Sequence, residues 1–102
     1  MDLNLVVLAG RIVAPPEHHT NQSGARTRRL LVSTRTDHPP RIDVVRVVDE
    51  GPSFAAPLES GDVVMVVGRI ERRFEDRPHG HGSRFDVAAL AVAPIGVRSP
   101  SR

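Results

Sequence analysis

Valine, leucine and isoleucine recur along this chain mostly at every second position, the spacing at which side chains point to one face of a β-strand. Five such runs stand out. Leu3 to Val13 is apolar on both faces and broken at Gly10, as a strand bent at a barrel corner would be. Arg28 to Thr36 alternates, with Leu30, Val32 and Thr34 on one face and Arg29, Leu31, Ser33 and Arg35 on the other. Ile42 to Val48 is a valine-dominated third strand. Asp62 to Phe74 is the fourth and longest, with Val64 and Val66 facing the core, Val63, Met65 and Val67 facing out, and a kink at Gly68. Arg84 to Val92 is the fifth.

The intervening segments carry turn and loop signals. Ala14-Pro15-Pro16 ends the first strand, and Glu17 to Gly24 reads as a polar loop closing in the turn Ser23-Gly24. Asp37 to Pro40 is a turn with two prolines, and Glu75 to Ser83 a hairpin loop rich in Pro, Gly and His. Gly51 to Gly61 is the one place for a helix. Ser53 suits its cap, and Phe54 and Leu58 share a core-facing side. Pro57 limits it to about one turn. The expected fold is all-β: a five-stranded OB-fold barrel with a short helix between strands three and four. Strand propensity alone is shared with other five-stranded barrels; the helix position selects the OB-fold. The barrel is expected to occupy residues 1–96, with a short flexible basic tail over 97–102.

At 102 residues the chain is one domain of marginal isolated stability, which association with a second copy would improve. Cysteine is absent, so neither a disulfide framework nor a thiolate zinc site is expected. The opening Met1-Asp2-Leu3-Asn4 has no positive charge, and the apolar run behind it stops at Gly10-Arg11. That pattern suits neither a signal peptide nor a membrane span, and a cytoplasmic, nucleoid-associated protein is expected. All 14 basic residues are arginine, and the net charge is only +2. Guanidinium forks onto phosphate and stacks on bases, so the location of the arginines matters more than the net charge.

An ordered series of segments resembles the bacterial single-stranded DNA-binding protein family. Asn4 to Ile12 is similar to its opening strand, where Asn precedes an aliphatic run ending Gly-Arg/Asn-Leu. Pro16-Glu17 stands where that family has Asp-Pro-Glu, with Pro15 in place of the Asp, and Ser23-Gly24 matches the turn before its second strand. Gly61-Asp62-Val63-Val64-Met65-Val66-Val67-Gly68-Arg69-Ile70 follows its Gly-Asp-x-Val-x-Val-x-Gly-Arg-Leu. Arg72-Arg73-Phe74-Glu75-Asp76 resembles its Arg-x-Trp/Tyr-x-Asp, with Phe74 in the aromatic position, and Arg84-Phe85-Asp86-Val87 fits the start of its last strand. Two departures define a short form. The aromatics that family members carry in strand three are replaced by Ile42 to Asp49, and no acidic, Phe-ending tip follows a long linker. The partner-recruiting role of that tip is therefore not expected.

The resemblance implies single-stranded DNA as partner and no cofactor. The candidate DNA-binding residues are Arg29, Arg35, Arg46, Arg72, Arg73 and Arg84, as a track for phosphates, with Phe74 and Phe85 as stacking platforms. Losing strand-three aromatics should weaken binding, since each stacked base contributes about 1–3 kcal/mol. Val63, Met65 and Val67 form an outward aliphatic stripe, expected to be an interface in a homodimer or homotetramer. His18-His19 and His79-Gly80-His81 lack companion ligands at closed-site spacing and are read as loop residues rather than a metal site. No enzyme signature is present. Two functions remain open: a non-enzymatic single-strand binder in replication, recombination or repair, or an interaction module like primosomal replication protein N with DNA binding weakened or lost.

Overall fold

Burial follows the alternation. Val64 and Val66 are wholly buried, as are Leu30 and Val32, while Met65 and Leu31 between them are exposed. The computed structural model describes residues 1–20, 22–50, 57–77 and 80–96. Six strands appear in it: β1 (Val6–Ile12), β2 (Glu17–Thr20), β3 (Arg26–Asp37), β4 (Pro40–Asp49), β5 (Val63–Arg77) and β6 (Gly80–Pro94). They form one sheet in the order β1-β5-β6-β4-β3-β2, and pairing of β1 with β3 closes five of them into a barrel. Two seams of this ring are short. β1 meets β3 at Arg11↔Ser33 and Ile12↔Val32, and β4 meets β6 in parallel from Val47↔Val87 to Asp49↔Ala89.

The core is aliphatic: Ile12, Leu30, Val32, Val47, Leu58, Val64, Val66, Val87 and Val92. Opposite the core-facing valines, Gly10 and Gly68 stand where strands crowd. A Cβ on Gly10 would lie 2.2 Å from the Ser33 carbonyl oxygen, and one on Gly68 would lie 2.2 Å from that of Ala88. Both glycines therefore permit backbone approaches that no other residue would allow. The register shifts between Val67 and Gly68, where β6 carries one extra residue, Leu90, as a bulge. Past Gly68, Asn4 extends the β1–β5 ladder with its side chain, donating to the Ile70 carbonyl at 2.8 Å and accepting from the Ile70 N–H at 2.8 Å.

Arg28 and Asp49 are buried in the protein and pair at 2.9 Å. The segment leading into β5 is stitched to the end of β1: Gly61 N–H donates to the Ile12 carbonyl, and Ile12 N–H to that of Asp62. Asp62 also accepts from the Glu59 N–H at 2.8 Å through its carboxylate.

Three expectations are corrected. Glu17 to Gly24 is not all loop, since Glu17–Thr20 pairs with β3 from Glu17↔Arg29 to Thr20↔Arg26. Glu75 to Ser83 is likewise mostly ladder, with β5 and β6 paired as far as Arg77↔Gly80. Backbone pairing needs no buried side chains, so these ends carry no alternation to betray them. No helix occurs among the described residues, and 57–61 is irregular chain and turn. The rest of the expected helix, 51–56, with Phe54, lies outside the described residues, as do His79 and the tail 97–102. Among the described residues no helix is long and apolar enough to cross a membrane.

Candidate nucleic-acid interface

Because Leu30, Val32 and Val47 point into the barrel, their neighbours on β3 and β4 point out. The outward cross-strand pairs are Arg29↔Val48, Leu31↔Arg46, Ser33↔Val44 and Arg35↔Ile42. Three of the four thus set an arginine against an aliphatic. Ile42 and Val44 are 67% and 58% exposed, which leaves an uncovered aliphatic stripe on this wall. No carboxylate lies within ion-pair distance of Arg29 or Arg46 among the described residues.

A groove crosses the wall. One depression is lined by Pro15, Glu17, Leu31, Arg46 and Arg29. Arg29 also lines the next, with His19, Thr27, Val48, Glu50, Arg73, Arg84 and Asp86. Val48 and Glu50 continue into a third, bounded by Arg69, Glu71, Ala88 and Leu90. The β2–β3 hairpin forms one bank and the β5–β6 hairpin the other.

The second bank carries a chain of charges. Arg69, Glu71 and Arg73 alternate on one face of β5, opposite Asp86 and Arg84 of β6. Glu71 bridges Arg69 and Arg73 at 3.0 Å each, and Asp86 meets Arg73 at 3.9 Å and Arg84 at 3.1 Å. Among the described residues three guanidiniums here meet two carboxylates, and Arg29 and Arg46 add further cations along the groove. Glu17 and Glu50 oppose them.

The structure divides the residues grouped from sequence. Arg29, Arg46, Arg73 and Arg84 line the groove. Arg72, Phe74 and Phe85 do not: consecutive strand residues face opposite ways, so these three occupy the reverse face of the β5–β6 hairpin. There Arg72 lies 5.3 Å from the Phe74 ring centroid and 5.7 Å from that of Phe85, and donates to Ser83 Oγ at 3.2 Å. Both rings are open to solvent, 77% and 67% exposed. Phe74 is therefore not packed beneath the hairpin. Arg35 sits far along β3, in an exposed 3.5 Å pair with Asp37 that contributes little.

Sequence reasoning missed Arg69 and His19. The parity of Arg69 with Arg73 was the available signal for the first. The second was hidden because β2 reads as loop. Among the described residues no three His, Asp or Glu side chains converge as a metal site would require. Val63, Met65 and Val67 face outward, as the pattern indicates. Met65 is flanked by Ala9 and Ala93, and Val67 by Val7 and Ala91, on the adjoining strands.

No protein-family model matches the chain, and no curated protein matches its sequence. Solved structures do. A Plasmodium falciparum SSB in complex with ssDNA superposes with a TM-score of 0.81 at 16% identity, covering 94% of this chain and 97% of that one. A deletion variant of the single-stranded DNA binding protein from Thermus aquaticus gives 0.77 at 24% identity, again over 94% of this chain. This chain spans about half of the Thermus protein, 52% of its length. At these identities the likeness is one of fold: the chain has the closed OB-fold barrel that these DNA-binding proteins share.

Proposed function

We propose that the chain is a non-enzymatic single-stranded DNA-binding protein serving replication, recombination or repair. The observation that carries this is the groove across the outer wall of β3 and β4, banked by two hairpins and lined by Arg46, Arg29, Arg84, Arg73 and Arg69. Guanidiniums along such a path track a phosphate backbone without reading sequence. The floor between them is aliphatic, so bases meet Leu31 and Val48 rather than stacking rings. Phe74 and Phe85 offer stacking only to a strand that passes round the hairpin edge. The barrel shape shared with two single-strand-binding proteins supports the same assignment. Affinity is then modest and dominated by phosphate contacts.

The active form is a homodimer or homotetramer, joined through the outward face of Val63, Met65 and Val67 and the adjoining Val7. Met65 and Val7 are 41% and 61% exposed in the single chain. Replication or recombination proteins are further partners, and the protein works in the cytoplasm on the nucleoid.

Fluorescence anisotropy with labelled oligo-dT of several lengths, at low and moderate salt, tests the assignment. Length-dependent binding at low salt is expected. No binding at low salt favours the second function, a protein-interaction module. The exposed Ile42 and Val44, standing in an OB-fold wall without aromatics, are the observation behind that alternative.

A further inference from the structure

Glu71 occupies an unusual place on the groove bank. Its two carboxylate oxygens each take a different guanidinium: Oε1 meets Arg69 Nη2 and Oε2 meets Arg73 Nη2, both at 3.0 Å. Two oxygens of a phosphodiester would bridge two arginines in the same way. The bridge is open to exchange, because the side chains of Glu71, Arg69 and Arg73 are 30%, 55% and 40% exposed. Asp86, the other acid of the chain of charges, is 1% exposed and fixed in place.

We infer that Glu71 is an internal competitor for the ligand's phosphates. It holds Arg69 and Arg73 in the free protein and yields them when a phosphodiester enters the groove. This rests on the single-strand assignment and adds the residue that sets its affinity. Partly exposed ion pairs are individually weak, so the exchange is nearly balanced and a phosphate need gain little to win it. Glu71 then turns toward solvent. The wild-type protein thereby engages its third and fourth arginines at a discount in affinity, which keeps binding reversible.

The test measures labelled oligo-dT binding against salt for wild type, Glu71→Gln and Asp43→Asn. Asp43 pairs with Arg41 at 3.0 Å, is not among the groove-lining residues, and its change removes the same charge. Glu71→Gln should tighten binding about two- to tenfold at low salt, the range that one or two such ion pairs span. Its slope of log K against log[salt] should stay that of wild type, because both proteins make the same phosphate contacts once bound. Asp43→Asn should bind like wild type. Equal or weaker binding by Glu71→Gln overturns the inference, as does an equal gain from Asp43→Asn, which would reduce the effect to net charge. A Glu71→Gln protein that no longer folds also overturns it, since Glu71 would then be a brace. Absence of binding by both wild type and Glu71→Gln at low salt would instead remove the single-strand assignment itself.

Discussion

Arg28 and Asp49 face each other across β3 and β4 and join at 2.9 Å, with side chains only 2% and 0% exposed. Removing one partner strands a charge away from water, at a cost of about 3–5 kcal/mol. Asp49→Ala should therefore lower unfolding free energy by that amount in urea titration. Replacing both with apolar residues of similar volume should restore most of it. Equal losses in the single and double variants would show that the pair matters only as filler.

The close approaches at Gly10 and Gly68 give a second test. An added methyl would meet a main-chain oxygen, which cannot swing aside as a side chain can. Gly10→Ala and Gly68→Ala should each cost at least about 1–3 kcal/mol. A melting temperature matching the wild type would show that the strands separate there at little cost.

Binding should resolve the two faces of the β5–β6 hairpin. Arg29→Ala with Arg46→Ala removes the groove's two arginines that have no carboxylate partner among the described residues. It should weaken oligo-dT binding and flatten the salt slope by about 1.4, two phosphates' worth. Phe74→Ala, on the reverse face, should cost about 1–3 kcal/mol with the slope unchanged if the strand passes round the hairpin. If Phe74→Ala binds like wild type, the ligand keeps to the groove.

Oligomerisation is tested on the outward face of β5. Val67→Glu or Met65→Arg places a charge in the proposed contact and should dissociate the assembly in light scattering, with a lower melting temperature. A wild-type protein that stays monomeric at all concentrations would rule the interface out.

The barrel was legible because burial imposes a period of two: the inward sets Leu30-Val32 and Val64-Val66 could be read directly. The ends of both hairpins were not, since Glu17–Thr20 and Gly80–Ser83 carry no apolar alternation in their sequence. The arginines were found but not sorted. Arg72 and Arg73 are adjacent in sequence and sit on opposite faces, a distinction that follows from strand parity once the strand is known to continue through them. His19 needed the unforeseen β2. Arg69 needed the observation that Glu71 spaces two arginines on one face.

The groove runs directly over one of the two short seams that close the ring. Val48 and Ala88, a register pair of the three-residue parallel contact between β4 and β6, both line it. A ligand lying across both strands works as a staple, since any molecule that binds only the closed ring stabilises closure by mass action. Occupancy and barrel integrity are then a single equilibrium seen from two sides. The amides of Val47 to Asp49 and Val87 to Ala89 should be where a bound strand slows hydrogen exchange most, well beyond the side chains it touches.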